Sequence, residues 1–434
     1  MKPASTQIVL LGGGYVSVWA YRSLVRRLRS AIDAGHVQIT VICPNTHHAF
    51  HGWTAETLTG ILREQSQASP LAELMPKARL IQGVATALDT VAKVVNVAQS
   101  NGTKLVIPYD HLLLGIGAHD SEAIPGIRSF GYQIKEPAAF RRTKQAIQDL
   151  VAQAAAEPPA LARQYLSFVV AGGGFTGVEI ATNLAEYLTV LKAGYPSLQG
   201  IQPQIRLVHS GDRILPSLRP AYNRLVRYAE KTIAGYGIEL VSYRRIVEIN
   251  GAGALLNDGQ FLPARLVIST VGQSRLVLQG TEFMARDNQQ RLITNAYQQI
   301  PGHSTIWGGG DACHVPYRHT TDACPANALW AIKHGDYVGR NIARAIRGRR
   351  LQPFTYRGLG QSASLGLGKG ISELYGLQFT GPIAWGMRWA FFHFFMPSRR
   401  VMVDALSDWA HLFRFRQRRA LTADQPDARP LVRS

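Results

Sequence analysis

The chain contains the same local pattern twice, and this repeat constrains the fold more than any other feature of the sequence. In each copy an apolar stretch typical of a buried strand runs into a glycine turn, and a helical pattern begins at once. The copies are IVLLGGGYVSVWAYRSL at 8–24 and FVVAGGGFTGVEIATNLAEYL at 168–188. A further apolar strand follows each, QITVIC at 38–43 and QIRLVHS at 204–210. Alternating strands and helices predict an α/β fold.

The second copy has the complete G-x-G-x-x-G spacing of a dinucleotide-binding turn: Gly172, Gly174 and Gly177. In such a turn one glycine makes the bend, one lets a pyrophosphate approach the backbone, and one lets helix and strand pack closely. The first copy keeps Gly12 and Gly14 but has Ser17 in the third place, and we expect so small a residue to be tolerated. Two such turns suggest two dinucleotides, a flavin and a nicotinamide. A packing turn without a cofactor is the alternative, above all for the first copy.

Three further segments fit this scheme. STIWGGGDACHVP at 304–316 predicts a strand and a glycine turn that carries Asp311, which we expect to meet a ribityl or ribose hydroxyl near a flavin phosphate. An aspartate in an Asx turn is the alternative. YDHLLLGIGAHDSEAIPGI at 109–127 and LPARLVISTVGQS at 262–274 each predict a strand that ends in a turn, with Gly117 and Gly272 as cofactor contacts.

Composition restricts the partners and the compartment. The 47 Lys and Arg residues against 28 Asp and Glu give a net charge of +19, which favours an anionic partner such as nucleic acid or a membrane surface. Three cysteines without a C-x-x-C motif argue against a disulfide framework, and Cys313 with Cys324 is only a weak candidate redox pair. No signal peptide or membrane-spanning helix is predicted.

With these segments in order, the chain resembles the type II NADH:quinone oxidoreductases, which are non-pumping flavoproteins with two dinucleotide-binding domains. The resemblance covers nearly the whole length. It rests on GGGFTGVEIA at 172–181, GDRILPSL at 211–218, IPGHSTIWGGGDAC at 300–313 and the segment from PFTYRGLGQ to GPIAWGMRW at 353–389.

The resemblance implies FAD in the first domain and NADH or NADPH in the second, with electrons passing from the flavin to a membrane quinone. It implies a role for Glu179 in quinone-linked proton transfer. A carboxylate near the start of a helix at a domain interface could have a raised pKa and act in this way. Stabilisation by the helix dipole alone is the alternative.

Four positions depart from the family pattern, the first being Ser17. Cys43 and His209 stand where an acidic residue usually binds a ribose. With Arg213 close to His209, NADPH is no longer excluded, and a surface histidine without influence on selectivity is the alternative. In PANALWAIK at 325–333, Leu329 and Lys333 replace the two glutamines that line the quinone tunnel. Ala328, in the same segment, is expected at the flavin, and Lys333 could offer a cation to a quinone or flavin oxygen.

The C-terminal region, IAWGMRWAFFHFFM at 383–396 and the arginine-rich segment after it, predicts amphipathic helices in the interface of an anionic membrane. A helical hairpin on the protein core and a nucleic-acid surface are the alternatives. We therefore predict an α/β protein with two Rossmann-like domains and a membrane-associating region. The predicted segments are 1–125 and 291–350 for FAD, 126–290 for NAD(P)H, 351–420 for the membrane region and 421–434 for a disordered tail.

The expected location is peripheral, on the cytoplasmic side of the cell membrane, without nucleic acid and with a homodimer as a possible assembly. Two other functions remain open. Sulfide:quinone oxidoreductases share this architecture and use cysteines beside the flavin, although their cysteine positions are not reproduced here. The lost ribose acids and glutamines could also mark a non-catalytic, redox-sensing relative.

Overall fold

The computed structural model describes residues 5–317, 320 and 322–414. The chain divides into two compact units, each formed by separate stretches of sequence. The first comprises Met1–Gly52, Ala68–His119 and Gln273–Gly358, and the second comprises Trp53–Gln67, Asp120–Gly272 and Leu359–Ser434. The 3-10 turn His51–Trp53 and the short strands His119–Asp120 and Gln273–Ser274 lie where the chain passes from one unit to the other.

A five-stranded parallel sheet forms the centre of the first unit. Its strands are, in order across the sheet, Ile306–Gly308, His111–Leu114, Thr6–Leu11, Val37–Cys43 and Arg79–Gln82. The last four residues of the central strand, IVLL, are apolar and buried, as expected where both faces of a parallel sheet are covered. The unit's other elements are the helices Tyr15–Asp33, Leu71–Leu74 and Ala328–Ile346, the antiparallel strands Val84–Asp89, Val94–Ala98 and Lys104–Pro108, the paired strands His47–Ala49 and Ala68–Pro70, the paired strands Leu292–Ile293 and Cys313–His314, and the 3-10 turn Gly310–Ala312.

The helices Tyr15–Asp33 and Ala328–Ile346 pack with their backbones almost in contact. A Cβ at Gly335 would lie 2.3 Å from the carbonyl oxygen of Val16, and one at Gly339 would lie 2.4 Å from that of Ala20. Glycine is therefore required at both positions. The same contact brings Gly310 against Val16, so the turn that carries Asp311 lies beside the helix of the first glycine motif.

A buried ion-pair group stabilises the last part of the first unit. Asp287 accepts from the Nη2 of Arg291 at 2.7 Å and lies 3.0 Å from the Nδ1 of His314. Burial opposes ionisation, but the hydrogen bonds from Arg291 and His314 prevail and hold the pKa of Asp287 at about 2.

The second unit repeats the five-stranded parallel sheet. Its strands are, in order, Gly131–Tyr132, Leu266–Ser269, Ser167–Ala171, Gln204–Val208 and Glu239–Val241. The other elements of the unit's central part are the helices Thr54–Leu58, Ile127–Phe130, Pro137–Ala155, Pro159–Tyr165, Phe175–Lys192 and Asn223–Gly235, the antiparallel strands Ile246–Asn250, Gly253–Leu256 and Phe261–Pro263, and the 3-10 turns Glu64–Gln67, Pro196–Leu198 and Pro216–Leu218. Each unit thus has the strand–turn–helix core predicted for a dinucleotide-binding domain.

The C-terminal region packs on the second unit. It consists of the antiparallel strands Gly360–Ser364, Gly370–Leu374 and Leu377–Thr380 and the helices Gly381–Phe395 and Arg399–Arg414. The carboxylate of Asp408 accepts from the Nε of Arg63 at 2.7 Å and from the hydroxyl of Ser66 at 2.6 Å, which fixes the last helix. No helix in the described part of the chain has the length and hydropathy needed to cross a membrane. The tail predicted for 421–434 lies outside the described residues.

Candidate active site

Both glycine turns have the geometry that a dinucleotide phosphate requires. Gly12 and Gly172 have φ values of +94° and +117°, in the left-handed region that favours glycine. A Cβ at Gly12 would lie 2.5 Å from the carbonyl oxygen of Gly115. Gly14 and Gly174 begin the two helices without a hydrogen bond from a capping side chain, and a Cβ on either would meet no atom within 4 Å. The first N–H groups of both helices are therefore open to an anion.

The paired turns predicted at Gly117 and Gly272 are also present. Both residues have positive φ values, +67° and +74°. Each follows a strand of its parallel sheet, and a Cβ at Gly272 would lie 2.9 Å from the Cβ of Ser121. The two units therefore correspond position by position around their glycine turns.

Ser17 fills the space that the third glycine would leave in the first motif. Its side chain is fully buried, and its hydroxyl lies 3.4 Å from the carbonyl oxygen of Leu11. The residue opposite is Gly115, where a Cβ would lie 2.7 Å from the Ser17 hydroxyl. A glycine on the strand side thus makes room for a serine on the helix.

The second motif has the reverse arrangement. Thr270 occupies the position that corresponds to Gly115, and its hydroxyl donates to the carbonyl oxygen of Ala171 at 2.7 Å. Gly177 lies opposite, because a Cβ there would be 2.9 Å from the Thr270 hydroxyl and 1.8 Å from the carbonyl oxygen of Gly172. In both motifs one hydroxyl lies at the carbonyl group of the last residue of the motif strand. The helix supplies this hydroxyl in the first motif, and the turn after the neighbouring strand supplies it in the second.

Cys43 and His209 lie at corresponding places against the two turns. A Cβ at Gly13 would lie 2.9 Å from the Sγ of Cys43, and one at Gly173 would lie 2.7 Å from the Cβ of His209. Both side chains are buried, so His209 is not a surface histidine. Burial raises the pKa of Cys43 and lowers that of His209, which leaves both groups uncharged at neutral pH. Neither place offers the carboxylate that usually binds a ribose.

The environment of His209 changes the interpretation of Arg213. The Nε2 of His209 lies 3.0 Å from the hydroxyl of Ser242. Arg213 donates to both carboxylate oxygens of Glu230, through its Nε at 2.8 Å and through its Nη2. The guanidinium charge proposed for a 2′-phosphate is thus already matched by a carboxylate.

Asp311 and Ala328 lie in the first unit with the first glycine turn. Asp311 lies in the 3-10 turn Gly310–Ala312, and its main-chain oxygen accepts from the Nε of Arg275 at 3.2 Å. The N–H of Gly310 donates to the Nδ1 of His334 at 3.0 Å. Burial lowers the pKa of His334 to about 3, so the ring is neutral and this nitrogen can accept. Ala328 is the first residue of the Ala328–Ile346 helix.

Glu179 lies in a buried group of charges that the sequence does not reveal. Its Oε1 accepts from the N–H of Ser364 at 2.8 Å and from the Nη2 of Arg388 at 3.0 Å. Arg388 also donates to both carboxylate oxygens of Glu56, with its Nη2 3.3 Å from Oε2. The side chains of Arg388 and Glu56 are 2% and 1% exposed, and that of Glu179 is 19% exposed.

The charges in this group work against each other at Glu179. Burial raises its pKa, the charge of Arg388 lowers it, and the charge of Glu56 raises it again, with a result of about 7. The two carboxylates raise the pKa of Arg388 despite its burial, so the guanidinium stays charged. The rings of Trp53 and Phe392 lie 5.5 and 4.5 Å from it. A carboxyl group with a pKa near 7 can both give and take a proton at neutral pH.

Arg388 lies in the segment GPIAWGMRW that carries part of the family resemblance, but nothing in the sequence links it to Glu56, which is 332 residues away. The available signal was a single arginine within the apolar run IAWGMRWAFFHFFM. A charge in such a run indicates a buried partner as well as a membrane interface. The structure supports the first reading for this arginine, which faces inward.

Lys333 and Leu329 occupy the helix that the resemblance assigns to the quinone. Leu329 is buried, and the Nζ of Lys333 lies 5.2 Å from the ring centre of Tyr356. Within residues 5–317, 320 and 322–414 no carboxylate pairs with Lys333. Its cation is held against an aromatic face and is not neutralised there.

The three cysteines are unpaired and buried. Burial raises the pKa of Cys313 and of Cys324 to about 12 each. A thiol with so high a pKa forms almost no thiolate at neutral pH, which is the form that attacks disulfides and sulfide-derived sulfur. These residues therefore do not have the properties of a redox pair.

A family model for pyridine nucleotide-disulphide oxidoreductases matches residues 6–335, which include both glycine turns. The chain belongs to this family. The fold class predicted from the repeat, two Rossmann-like units, is thereby confirmed. The family's name refers to a disulphide, but this member has no C-x-x-C or C-x-x-x-x-C pair, because its only cysteines are Cys43, Cys313 and Cys324.

Within the family, the sequence is 27% identical to the type II NADH:quinone oxidoreductase of Staphylococcus haemolyticus over 86% of this chain and 91% of that protein. Its fold is similar to NDH2 from Plasmodium falciparum solved with NADH, with a TM-score of 0.84, 14% identity and coverage of 94% and 98% of the two chains. The sulfide:quinone oxidoreductase of Aquifex aeolicus gives a TM-score of 0.69 and 17% identity, with 96% of each chain covered. The predicted resemblance to type II enzymes is confirmed, and the chain is an oxidoreductase.

Proposed function

We propose that this protein oxidises NADH or NADPH through FAD and passes the electrons to a membrane quinone. The observation that carries the proposal is the carboxyl group of Glu179, which is largely buried beside Arg388 and has a pKa of about 7, in a chain with two open glycine turns. The first turn, with Gly12, Gly14 and Asp311, would hold FAD, and the second, with Gly172 and Gly174, would hold the nicotinamide dinucleotide. The chemistry that FAD supplies when bound is acceptance of a hydride and delivery of electrons to an acceptor.

Glu179 supplies the proton in this proposal. Its Oε1 is held by the N–H of Ser364 and by Arg388. No described residue bonds to its Oε2, which is therefore the oxygen that carries the proton. Lys333, with its cation against Tyr356, would bind a negatively charged quinone or flavin oxygen in place of the glutamines.

Neither nicotinamide should be strongly preferred. The neutral His209 does not repel a 2′-phosphate, and Arg213 is occupied by Glu230. An enzyme that selects one nicotinamide has a free charge near the 2′ position. Here His209 is uncharged and Arg213 is paired, so neither selects.

The test begins with protein reconstituted with FAD and titrated anaerobically with NADH, then with NADPH, while the flavin absorbance is followed. We expect bleaching by both, and turnover with a soluble quinone that falls at least tenfold in Glu179→Gln. Glu186→Gln is the matched control, because Glu186 lies two turns along the same helix and binds the N–H of Leu367 at 2.7 Å. Bound FAD that neither nucleotide reduces, or no quinone turnover, would support a non-catalytic relative. Reduction by sulfide alone would support the other alternative.

The C-terminal helices suggest a peripheral location on the cytoplasmic side of the cell membrane. Ile383 and Phe394, on one face of the Gly381–Phe395 helix, are 67% and 81% exposed, and Val403 of the next helix is 59% exposed. Arg399 and Arg400 are exposed between them. Large exposed apolar side chains beside arginines favour an anionic membrane interface.

Flotation with vesicles that contain anionic lipid tests this location. We expect Phe394→Ser to weaken binding, and Val91→Ser to leave it unchanged, because Val91 is 93% exposed in the other unit. Equal effects of the two changes would refute the location. Light scattering tests the homodimer.

A further inference from the structure

A cavity of about 350 Å³ in the first unit is lined almost entirely by arginine. Its lining includes Arg27 from the first-motif helix, Arg340 and Arg344 from the Ala328–Ile346 helix, Arg347 and Arg349 from the loop after it, and Gln352. We call these six residues the arginine cavity. They lie apart from Gly12, Asp311 and Lys333, and its volume falls within the range of small-molecule sites, about 300–1,000 Å³.

The positive charge of the arginine cavity is not matched by the protein. Asp336 is the one carboxylate in the described part of the chain that pairs with it, and it is 2.9 Å from Arg340 and 3.9 Å from Arg27. Asp336 is also 2.7 Å from Arg26, which lies outside the lining. The C-terminus of the Ala328–Ile346 helix supplies roughly half a further negative charge. Of the five guanidinium charges, roughly three to four therefore remain uncompensated.

The guanidinium groups are nevertheless held in place, mostly by neutral groups. Arg347 donates to the carbonyl oxygen of Arg27, and Arg344 donates to that of Arg350. Arg27 donates to the hydroxyl of Ser23 at 2.8 Å. Such bonds orient an arginine without cancelling its charge. The buried Nε of Arg340 has no partner in the described part of the chain. Helix capping alone would explain the carbonyl contacts of Arg347 and Arg344, but it would not explain the surplus charge.

We propose that the arginine cavity binds an anion that carries two adjacent phosphate groups. A guanidinium group binds two phosphate oxygens through two parallel N–H donors. It binds a carboxylate in the same way, but a single carboxylate would offset only one of the surplus charges. Inorganic pyrophosphate carries roughly three negative charges at neutral pH, which largely offsets the surplus positive charge, and a lipid with two diester phosphates carries about two. The ligand is either a free diphosphate or the headgroup of a lipid with two phosphates, since both present two phosphate groups to the same guanidinium groups.

Titration calorimetry with inorganic pyrophosphate tests the proposal on the full chain with FAD bound. Saturating NAD⁺ keeps the probe out of the nicotinamide site. We expect Arg349→Gln to weaken binding about tenfold, because it removes one charged hydrogen-bond donor. Arg349 is exposed, and no described residue pairs with its guanidinium, so the variant should fold normally. Arg344→Gln is the second variant, with thermal melting as its folding check.

The control is Arg29→Gln, which removes the same charge from a residue of the first-motif helix that is 75% exposed and does not line the cavity. Binding within about twofold of wild type is expected, because an exposed charge outside the lining, already paired with Asp33, is largely screened by salt. No binding of pyrophosphate at millimolar concentration, or equal losses in all three variants, would overturn the proposal.

Vesicle flotation distinguishes the two sources of the anion. A preference for diphosphatidylglycerol over phosphatidylglycerol at equal charge, lost in Arg349→Gln and in excess pyrophosphate, identifies a lipid headgroup. Pyrophosphate binding without that preference identifies a free diphosphate. A single-stranded oligonucleotide that binds through these arginines while pyrophosphate does not would replace the proposal with nucleic-acid binding.

Discussion

Replacing Arg388 by glutamine should move the pKa of Glu179 far upward. The guanidinium Nη2 lies 3.0 Å from the carboxylate, which places the two charge centres about 4 Å apart. At the effective dielectric constant of about 20 that describes such sites, this charge stabilises the ionised carboxylate by roughly 4 kcal/mol, or about 3 pKa units. The amide of glutamine can still donate one hydrogen bond. We therefore expect the pKa to rise by about two units from its value of about 7.

Glu56→Gln should shift the same pKa in the opposite direction. The negative charge of Glu56 raises the pKa of Glu179, and it also shares the guanidinium of Arg388. Its removal leaves Arg388 with Glu179 as its one charged partner. At roughly 6 to 7 Å the lost repulsion corresponds to about one to two pKa units. Opposite shifts from two neighbouring changes cannot come from a general loss of stability.

The assay is the pH dependence of kcat with a soluble quinone, from pH 5 to 10, with single-turnover reoxidation of the reduced flavin. Glu179 must be protonated to give up a proton, so the rate falls as the pH rises through its pKa. We expect a midpoint near 7 in wild type, about 9 in Arg388→Gln and about 5 to 6 in Glu56→Gln, with Glu186→Gln unchanged. Shifts in the same direction, or a lower kcat with an unmoved midpoint, would refute the role of these charges.

Three other outcomes follow from the structure. Gly115→Thr should destabilise the protein, because the new Cβ meets the Ser17 hydroxyl. Adding Ser17→Gly should recover at least about 1 kcal/mol of the free energy of unfolding in urea. Additive effects of the two substitutions would contradict the packing argument. Glu230→Gln should release Arg213 and raise the ratio of kcat/KM for NADPH to that for NADH roughly tenfold, and an unchanged ratio would show that this arginine does not reach a 2′-phosphate. Asp287→Asn should cost about 2 kcal/mol at pH 7, because the pKa of Asp287 lies near 2 instead of 3.8. The stability that this depressed pKa contributes is fully present above about pH 4 and is lost as the pH falls toward 2. The acid unfolding curves of the wild type and of Asp287→Asn should therefore converge near pH 2.

The sequence predicts the fold well because the fold depends on local patterns. The strand, the glycine turn and the helix of each motif are contiguous, and the structure has them at the predicted places. The positions of Cys43 and His209 against the turns also follow from local order, since Cys43 ends and His209 directly follows the strand that comes after the motif helix. Such features can be read from one segment at a time.

The charged group around Glu179 could not be predicted in this way. Glu56 and Arg388 meet across 332 residues, and no spacing rule connects them. Arg213 shows the same limit over a shorter distance, because the carboxylate that occupies it lies 17 residues further along the chain. The motifs single out Glu179 and Arg213, but the ionic partner of each depends on tertiary packing, which periodicity does not encode.

Ser17 shows what a glycine motif specifies physically. The third glycine lies where the helix crosses the end of the strand. In both units the crossing has one small residue and one hydroxyl near the last carbonyl group of the strand. In the second unit Thr270 supplies the hydroxyl and Gly177 supplies the space, whereas in the first unit Ser17 supplies the hydroxyl and Gly115 the space. A missing glycine on the helix is therefore no sign of a lost cofactor site when a glycine stands opposite, and the pair of positions is the unit to examine.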